Sequence, residues 1–203
     1  MPATAISEKK IQNTNQYSFD EYLRKEEKTI HKHEFYNGQI IKMSGAKYRH
    51  NQAASNTIFT FTLEVRKLPK KYSVLNSDQK IYIEQDNVAV YPDALVICEA
   101  PIFWNNREDI IINPLVVVEV LSRSTAGFDR TLKFMHYKTL PSFKEYVLID
   151  TDKLSIDIWH KKSENIWELT TYNHPDNILQ LKSIGISFAL NDIFFGLTLQ
   201  PKI

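Results

Sequence analysis

A single cysteine, Cys98, stands in this chain of 203 residues, so no intrachain disulfide can form. The Cys and His positions also lack the spacing of a zinc site. Cys98 lies in an apolar run and reads as unreactive core. No apolar run approaches the ~18 residues needed to span a membrane, and no secretory leader pattern is recognisable. The expectation is a soluble, cytoplasmic protein with no membrane partner. A charge excess is missing too: 25 Lys and Arg face 24 Asp and Glu, for a net charge of +1. That balance argues neither for nor against nucleic acid, and any basic surface must be local. Repeats and low-complexity tracts are absent.

What is there is a globular composition, with 43% hydrophobic and 12% aromatic residues, enough for a sizeable core. Residues 1–16 are polar and aperiodic and read as a mobile tail, which leaves 17–203 as one domain. Ser18 with Glu21 makes a capping box at the head of a short charged helix. His33 to Met43 reads as a hairpin about Asn37-Gly38, because both positions tolerate positive φ. Ala46 to Leu68 reads as a long helix. Its residues Ala46, His50, Ala53, Thr57, Phe61, Val65 and Leu68 share one face, which turns His50 inward. At its end Arg66, Lys67, Lys70 and Lys71 suit a solvated helix terminus better than a DNA-backbone contact.

Tyr72 to Leu75 and Gln79 to Glu84 alternate as strands, and Gln85-Asp86-Asn87 turns the chain into a strand from Val88 to Cys98. Glu99 to Asn113 reads as an irregular loop whose Trp104 is either a substrate-contacting lid or a plug over the core. Later strands cover Lys144 to Asp150, Leu154 to His160 and Ile166 to Tyr172, the last pair half-exposed. Ile178 to Leu181 and a short helix about Leu190 to Phe195 close the chain.

The informative stretch is Tyr91 to Asp150. The runs DALVIC and PLVVVEVL are short, branched-aliphatic and bounded by Pro or loop residues, as strands with little solvent on either face are. Each carries one acid, Asp93 in the first and Glu119 in the second. A carboxylate away from water must be paired or bind a metal. Taken singly, Glu119 could be half of a buried ion pair, and Asp93, just after Pro92, a turn or capping residue. Adjacent strands lie roughly 5 Å apart. If these two pair, both acids can converge on one cation, and oxygen ligands of this kind suit magnesium or manganese. Two such acids without metal repel, so Asp93→Asn is expected to leave metal-free stability unchanged or higher.

Pro92-Asp93 followed by Val118-Glu119-Val120 resembles the core of the PD-(D/E)XK restriction-endonuclease-like nucleases. The longer string EVLSRST…DRTLKF…Y, then EYVLID, with Tyr36-Asn37-Gly38 and His50 upstream, is similar to the Uma family of restriction-endonuclease-like proteins. The likeness runs from about Ser18 to Phe195. It implies an α/β fold, a mixed central β-sheet flanked by helices with extra antiparallel strands. It implies a metal-dependent endonuclease acting on nucleic acid, above all double-stranded DNA, and it is compatible with a homodimer. Mg2+ or Mn2+ would sit on Asp93 and Glu119 with Glu34 assisting. His50 would orient a carboxylate or contact a phosphate.

One departure stands out. The simple family pattern places its lysine two residues after the acid, where this chain has Leu121. Lys133 matches the family's relocated basic residue. The residues alone leave other readings open: Glu34 as a solvated hairpin acid, His50 as a hydrogen-bonded core histidine, Lys133 as a surface i,i+4 partner of Asp129. Thr125 reads as the N-cap of the helix that carries Lys133, and Tyr137 shares its face. The competing function is a nuclease-like fold that no longer cuts and serves as a binding or scaffold module. Leu121 and the near-neutral charge favour it; the retained acids oppose it.

Overall fold

The chain changes sheets at Tyr91-Pro92-Asp93, and this corner positions the site. The structure, a computed structural model, describes residues 16–122 and 126–198. Of the tail expected over 1–16, residues 1–15 lie outside the described residues, as does the expected cap at Thr125. In chain order the strands are β1 (His33–Tyr36), β2 (Gln39–Lys42), β3 (Tyr72–Asn76), β4 (Lys80–Ile83), β5 (Val88–Val90), β6 (Ala94–Cys98), β7 (Ile110–Ile111), β8 (Val116–Val120), β9 (Glu145–Asp150), β10 (Ser155–Lys161), β11 (Trp167–Tyr172), β12 (Ile178–Leu181) and β13 (Ile186–Ala189). The helices are α1 (Phe19–Glu26), α2 (Tyr48–Val65), α3 (Ala126–Phe128), α4 (Phe134–Lys138) and α5 (Leu190–Ile193), with a π-helical turn over Asp129–Lys133 between α3 and α4.

The strands form a five-stranded sheet, ordered β2-β1-β5-β4-β7, a six-stranded sheet, ordered β11-β10-β9-β8-β6-β3, and the hairpin β12-β13. The larger sheet is mixed: β8 runs antiparallel to β6 and parallel to β9. β8 is buried along its whole length. Its alternate residues serve two cores. Val116, Val118 and Val120 pack with Ala53, Phe61 and Val65 of α2 and with Leu179, Leu181 and Phe188 of the β12-β13 hairpin. Val117 and Leu121 pack with Ile81, Ile83 and Val88 of the smaller sheet and with Phe134 and Tyr137 of α4. A strand with no wet face accounts for the unbroken Val run. Strand alternation then sends Glu119 to the α4 side, with Val117 and Leu121.

The stretch read as one strand from Val88 to Cys98 is two strands in two sheets. Proline cannot donate to a ladder, so Pro92 breaks the pairing and lets the chain cross. The hairpin turn is as expected, with φ of 43° at Asn37 and 94° at Gly38. The Ser18 capping box is present. The long helix is trimmed to Tyr48–Val65. Trp104 is a plug: its ring meets Phe19 at 5.0 Å and Tyr82 at 5.3 Å. Ile110–Ile111, read as loop, joins the smaller sheet as a parallel partner of β4; two residues are too few to show a period. Cys98 is half-buried rather than core. At the end of α2, Lys67 pairs with Glu64 at 2.6 Å and Lys70 with Glu99 at 3.5 Å, a solvated and paired helix terminus. Among the described residues no helix is long and apolar enough to cross a membrane.

Candidate active site

Asp93 and Glu119 are cross-strand neighbours. Ala94 pairs with Val118 in the β6-β8 ladder, and the two acids are the next residues outward. The Asp93 backbone N–H donates to the Val118 carbonyl at 3.1 Å. Its side chain returns the contact: Oδ2 accepts the Val120 N–H at 2.7 Å. The carboxylate is thus pinned to the backbone of the strand that carries Glu119. His50 comes in from α2, its Nε2 3.2 Å from the same Oδ2. Burial acts to lower the pKa of His50, but the hydrogen bond and charge of Asp93 outweigh it and hold it above 6.5.

Glu119 Oε1 accepts from Lys133 Nζ at 3.1 Å and from the Tyr137 hydroxyl at 3.0 Å. The same ammonium lies 3.0 Å from Glu34 Oε1 and 3.6 Å from Asp129 Oδ1. The other Glu34 oxygen accepts from the Tyr36 hydroxyl at 2.9 Å. Only 8% of Glu34, 4% of Glu119, 3% of Asp129 and 6% of Lys133 is exposed. Burial pushes Glu119 well above the usual carboxylate range; Lys133 opposes that, and Asp129, Asp93 and Glu34 add to it. Burial pulls Lys133 down, yet the Glu119 and Glu34 carboxylates more than offset it and hold it well above the ordinary lysine range. The ammonium therefore stays charged.

The lysine reaches this point because its helix is not regular. Asp129–Lys133 forms a π turn between α3 and α4, a widening frequent at functional sites. Contacts to the sheets hold this segment and α4 in place, among them these. Tyr146 of β9 donates its hydroxyl to the Asp129 carbonyl at 2.9 Å. On α4, His136 Nδ1 meets Asp86 Oδ2, beside the smaller sheet, at 2.6 Å.

The surface-pair reading of Asp129 and Lys133 fails, since both are buried. The solvated reading of Glu34 fails for the same reason. The site also holds residues that the sequence reading named without placing them in it. Asp129 is one; four residues before Lys133, it must share an inward face if the lysine does. Tyr36 is another, two residues beyond Glu34 and so on the same side of β1. Leu121 takes no part: it packs with Val117 in the core, and Lys133 supplies the ammonium beside Glu119.

The family model Uma2, described as "Putative restriction endonuclease", matches residues 19–191. The chain belongs to the Uma2 family. Two relatives in Synechocystis sp. (strain ATCC 27184 / PCC 6803 / Kazusa) are similar along most of their length. The uncharacterized protein sll1609 is 37% identical over 150 residues, 74% of this chain and 84% of the relative. The uncharacterized protein slr1290 is 36% identical over 180 residues, 88% of this chain and 91% of the relative. The crystal structure titled as a putative nuclease from Anabaena variabilis ATCC 29413 matches the Uma2 chain with a TM-score of 0.69 at 19% identity, over 88% of this chain and 97% of that one. At that identity the likeness speaks for the fold.

The donor set of the Uma2 protein bears on a metal in two ways. Among the described residues, no three or more His, Cys, Asp or Glu side chains are gathered to hold an ion. The Glu34 carboxylate, expected to assist a metal, lies on Lys133 and Tyr36, as that of Glu119 lies on Lys133 and Tyr137. Asp93 and Glu119 remain side by side. Magnesium is usually held by one or two carboxylates, with water and substrate phosphate completing its shell. A pair of acids at adjacent strand ends fits that chemistry, and an all-protein cage is not required.

Proposed function

We propose that this Uma2 protein is a divalent-metal-dependent endonuclease that hydrolyses phosphodiester bonds, with double-stranded DNA as substrate. The observation that carries the reading is the pairing of Asp93 and Glu119 across two strands, with the Lys133 ammonium 3.1 Å from Glu119. Asp93 and Glu119 would hold Mg2+ or Mn2+. Such an ion, when bound, polarises a phosphate oxygen and lowers the pKa of its water.

The chain's own residues supply the rest. The Val120 N–H and His50 fix the Asp93 rotamer. Tyr137 holds Glu119, and Lys133 is its partner in the metal-free structure. Lys133 orients the attacking water and neutralises charge that develops on the phosphate oxygens, in a pocket dry enough to make that charge effective. In the hydrolysis the water oxygen forms a new bond to phosphorus, the old P–O bond breaks, and the leaving oxygen takes up a proton. Glu34 belongs to the lysine in this reading and not to the metal. The description of the family, "Putative restriction endonuclease", agrees with it.

Purified protein is incubated with supercoiled plasmid, linear duplex and RNA, with and without Mg2+ or Mn2+. Metal-dependent nicking of duplex DNA, lost in Glu119→Gln, is the expected result. Intact substrate under every condition would move the assignment to the non-cutting binding module, and cleavage of RNA alone would replace the substrate.

A further inference from the structure

Among the described residues, Glu34, Glu119 and Asp129 all face the Lys133 ammonium, at 3.0, 3.1 and 3.6 Å. Lys133 stands on Glu119, one of the two acids assigned to the metal. An ammonium and a divalent ion on the same carboxylate oxygen, a few ångströms apart and away from water, repel strongly. The contact seen at Glu119 and a bound metal thus compete.

The geometry also offers the lysine somewhere to go. Its four-carbon stem is flexible. Glu34 is held in place by Tyr36. The Asp129 contact, at 3.6 Å, is the longest of the three and can shorten. The Asp129 backbone is tied to β9 through Tyr146, so the acid does not travel with the ammonium. We propose that Lys133 is the counter-ion of the metal-free site, that a divalent cation loads by exchanging with it at Glu119, and that Asp129 is the positioning residue that keeps the displaced ammonium beside the site. This deepens the metal-dependent reading above and rests on it.

The exchange makes metal affinity depend on the lysine. Mn2+ is titrated into the purified full-length chain by calorimetry, with melting temperature as a second readout. Lys133→Met binds Mn2+ about 10-fold or more tightly than wild type, because no ammonium has to leave Glu119. Lys138→Met controls for charge acting through space. Its ammonium sits over the Phe134 ring at 4.1 Å, and its loss changes the affinity by less than about 2-fold. Asp129→Asn weakens Mn2+ binding about 10-fold in the wild-type background but less than about 3-fold in Lys133→Met, since its effect runs through the lysine. Equal affinities for wild type and Lys133→Met overturn the exchange. Equal effects of Asp129→Asn in both backgrounds overturn the role of Asp129. Should Lys133→Met not fold without metal, amine labelling of the wild type read by mass spectrometry decides. Mn2+ then raises Lys133 reactivity about 3-fold or more if the ammonium moves, and unchanged reactivity refutes it. Absence of Mn2+ binding in wild type and variants alike would overturn the metal-dependent reading and the exchange with it, whereas binding indifferent to Lys133 overturns the exchange alone.

Discussion

Replacing Asp93 by Ala and by Asn separates two things the side chain does. Both variants remove the negative charge. Only Asn keeps an oxygen that can accept the Val120 N–H, now at 2.7 Å. Val120 is 2% exposed, so in Asp93→Ala its N–H is stranded in the core. A buried donor left without a partner costs about 1–3 kcal/mol. Loss of the charge acts in both directions. The His50 pair is broken, but repulsion from the neighbouring acids is relieved; Asp93 is among the groups that raise Glu119. These nearly cancel, so Asp93→Asn is expected to lie within about 1 kcal/mol of wild type. The expectation from sequence, unchanged or higher stability, was for Asp93→Asn; the Val120 contact sets Asp93→Ala apart from it. Asp93→Ala should lose about 1–3 kcal/mol relative to Asp93→Asn, which for a chain of this size is roughly 2–12 °C in melting temperature. Urea denaturation in EDTA, followed by tryptophan fluorescence, measures it at constant m. Two variants equal within about 0.5 kcal/mol would mean that the Asp93–Val120 contact does not hold the strand ends together, and the pinned-carboxylate argument would go.

In wild type, Mn2+ at about 100 times its dissociation constant should stabilise the fold by roughly 2.7 kcal/mol; a melting curve of Glu119→Gln that responds equally to Mn2+ would remove Glu119 from the ligand set. The folded-state pKa of His50 is raised above 6.5, so its contribution is full below that value and is lost as pH rises through the folded-state pKa. The stability advantage of wild type over His50→Gln in EDTA should accordingly shrink as pH rises above 6.5, and an advantage that grows would reverse the assigned sign. Tyr137→Phe deletes the hydroxyl 3.0 Å from Glu119 and should cost about 1 kcal/mol by denaturation while leaving Mn2+ binding in place; lost binding would make Tyr137 part of the metal site rather than a support.

What could be read from the chain divides along physical lines. β8 was legible because burial on both faces leaves an unbroken aliphatic run, and an acid within such a run announces a partner. The hairpin at Asn37-Gly38 was legible because the backbone there needs left-handed residues. The change of sheets after Val90 was not, because apolar residues continue on both sides of Pro92, which is its mark. Asp129 and Glu34 were open to a surface reading for a related reason. Spacing on a helix or strand says which residues share a face, and leaves undecided which face is covered. Cover comes from packing between the two sheets, a contact between residues distant in sequence. Leu121 carries the point furthest. A rule that places the lysine two residues after the acid describes one strand, whereas the chemistry needs an ammonium about 3 Å from a carboxylate oxygen. Two positions beyond Glu119, a side chain on β8 lies in the aliphatic core with Val117, and Leu is the residue that suits it. The ammonium comes instead from the helix lying over that core, where a π turn and a flexible stem bring Lys133 to the acid. Loss of the lysine from the strand and its gain on the helix are then one event in space, and the position of Leu121 is no argument that the site has fallen silent.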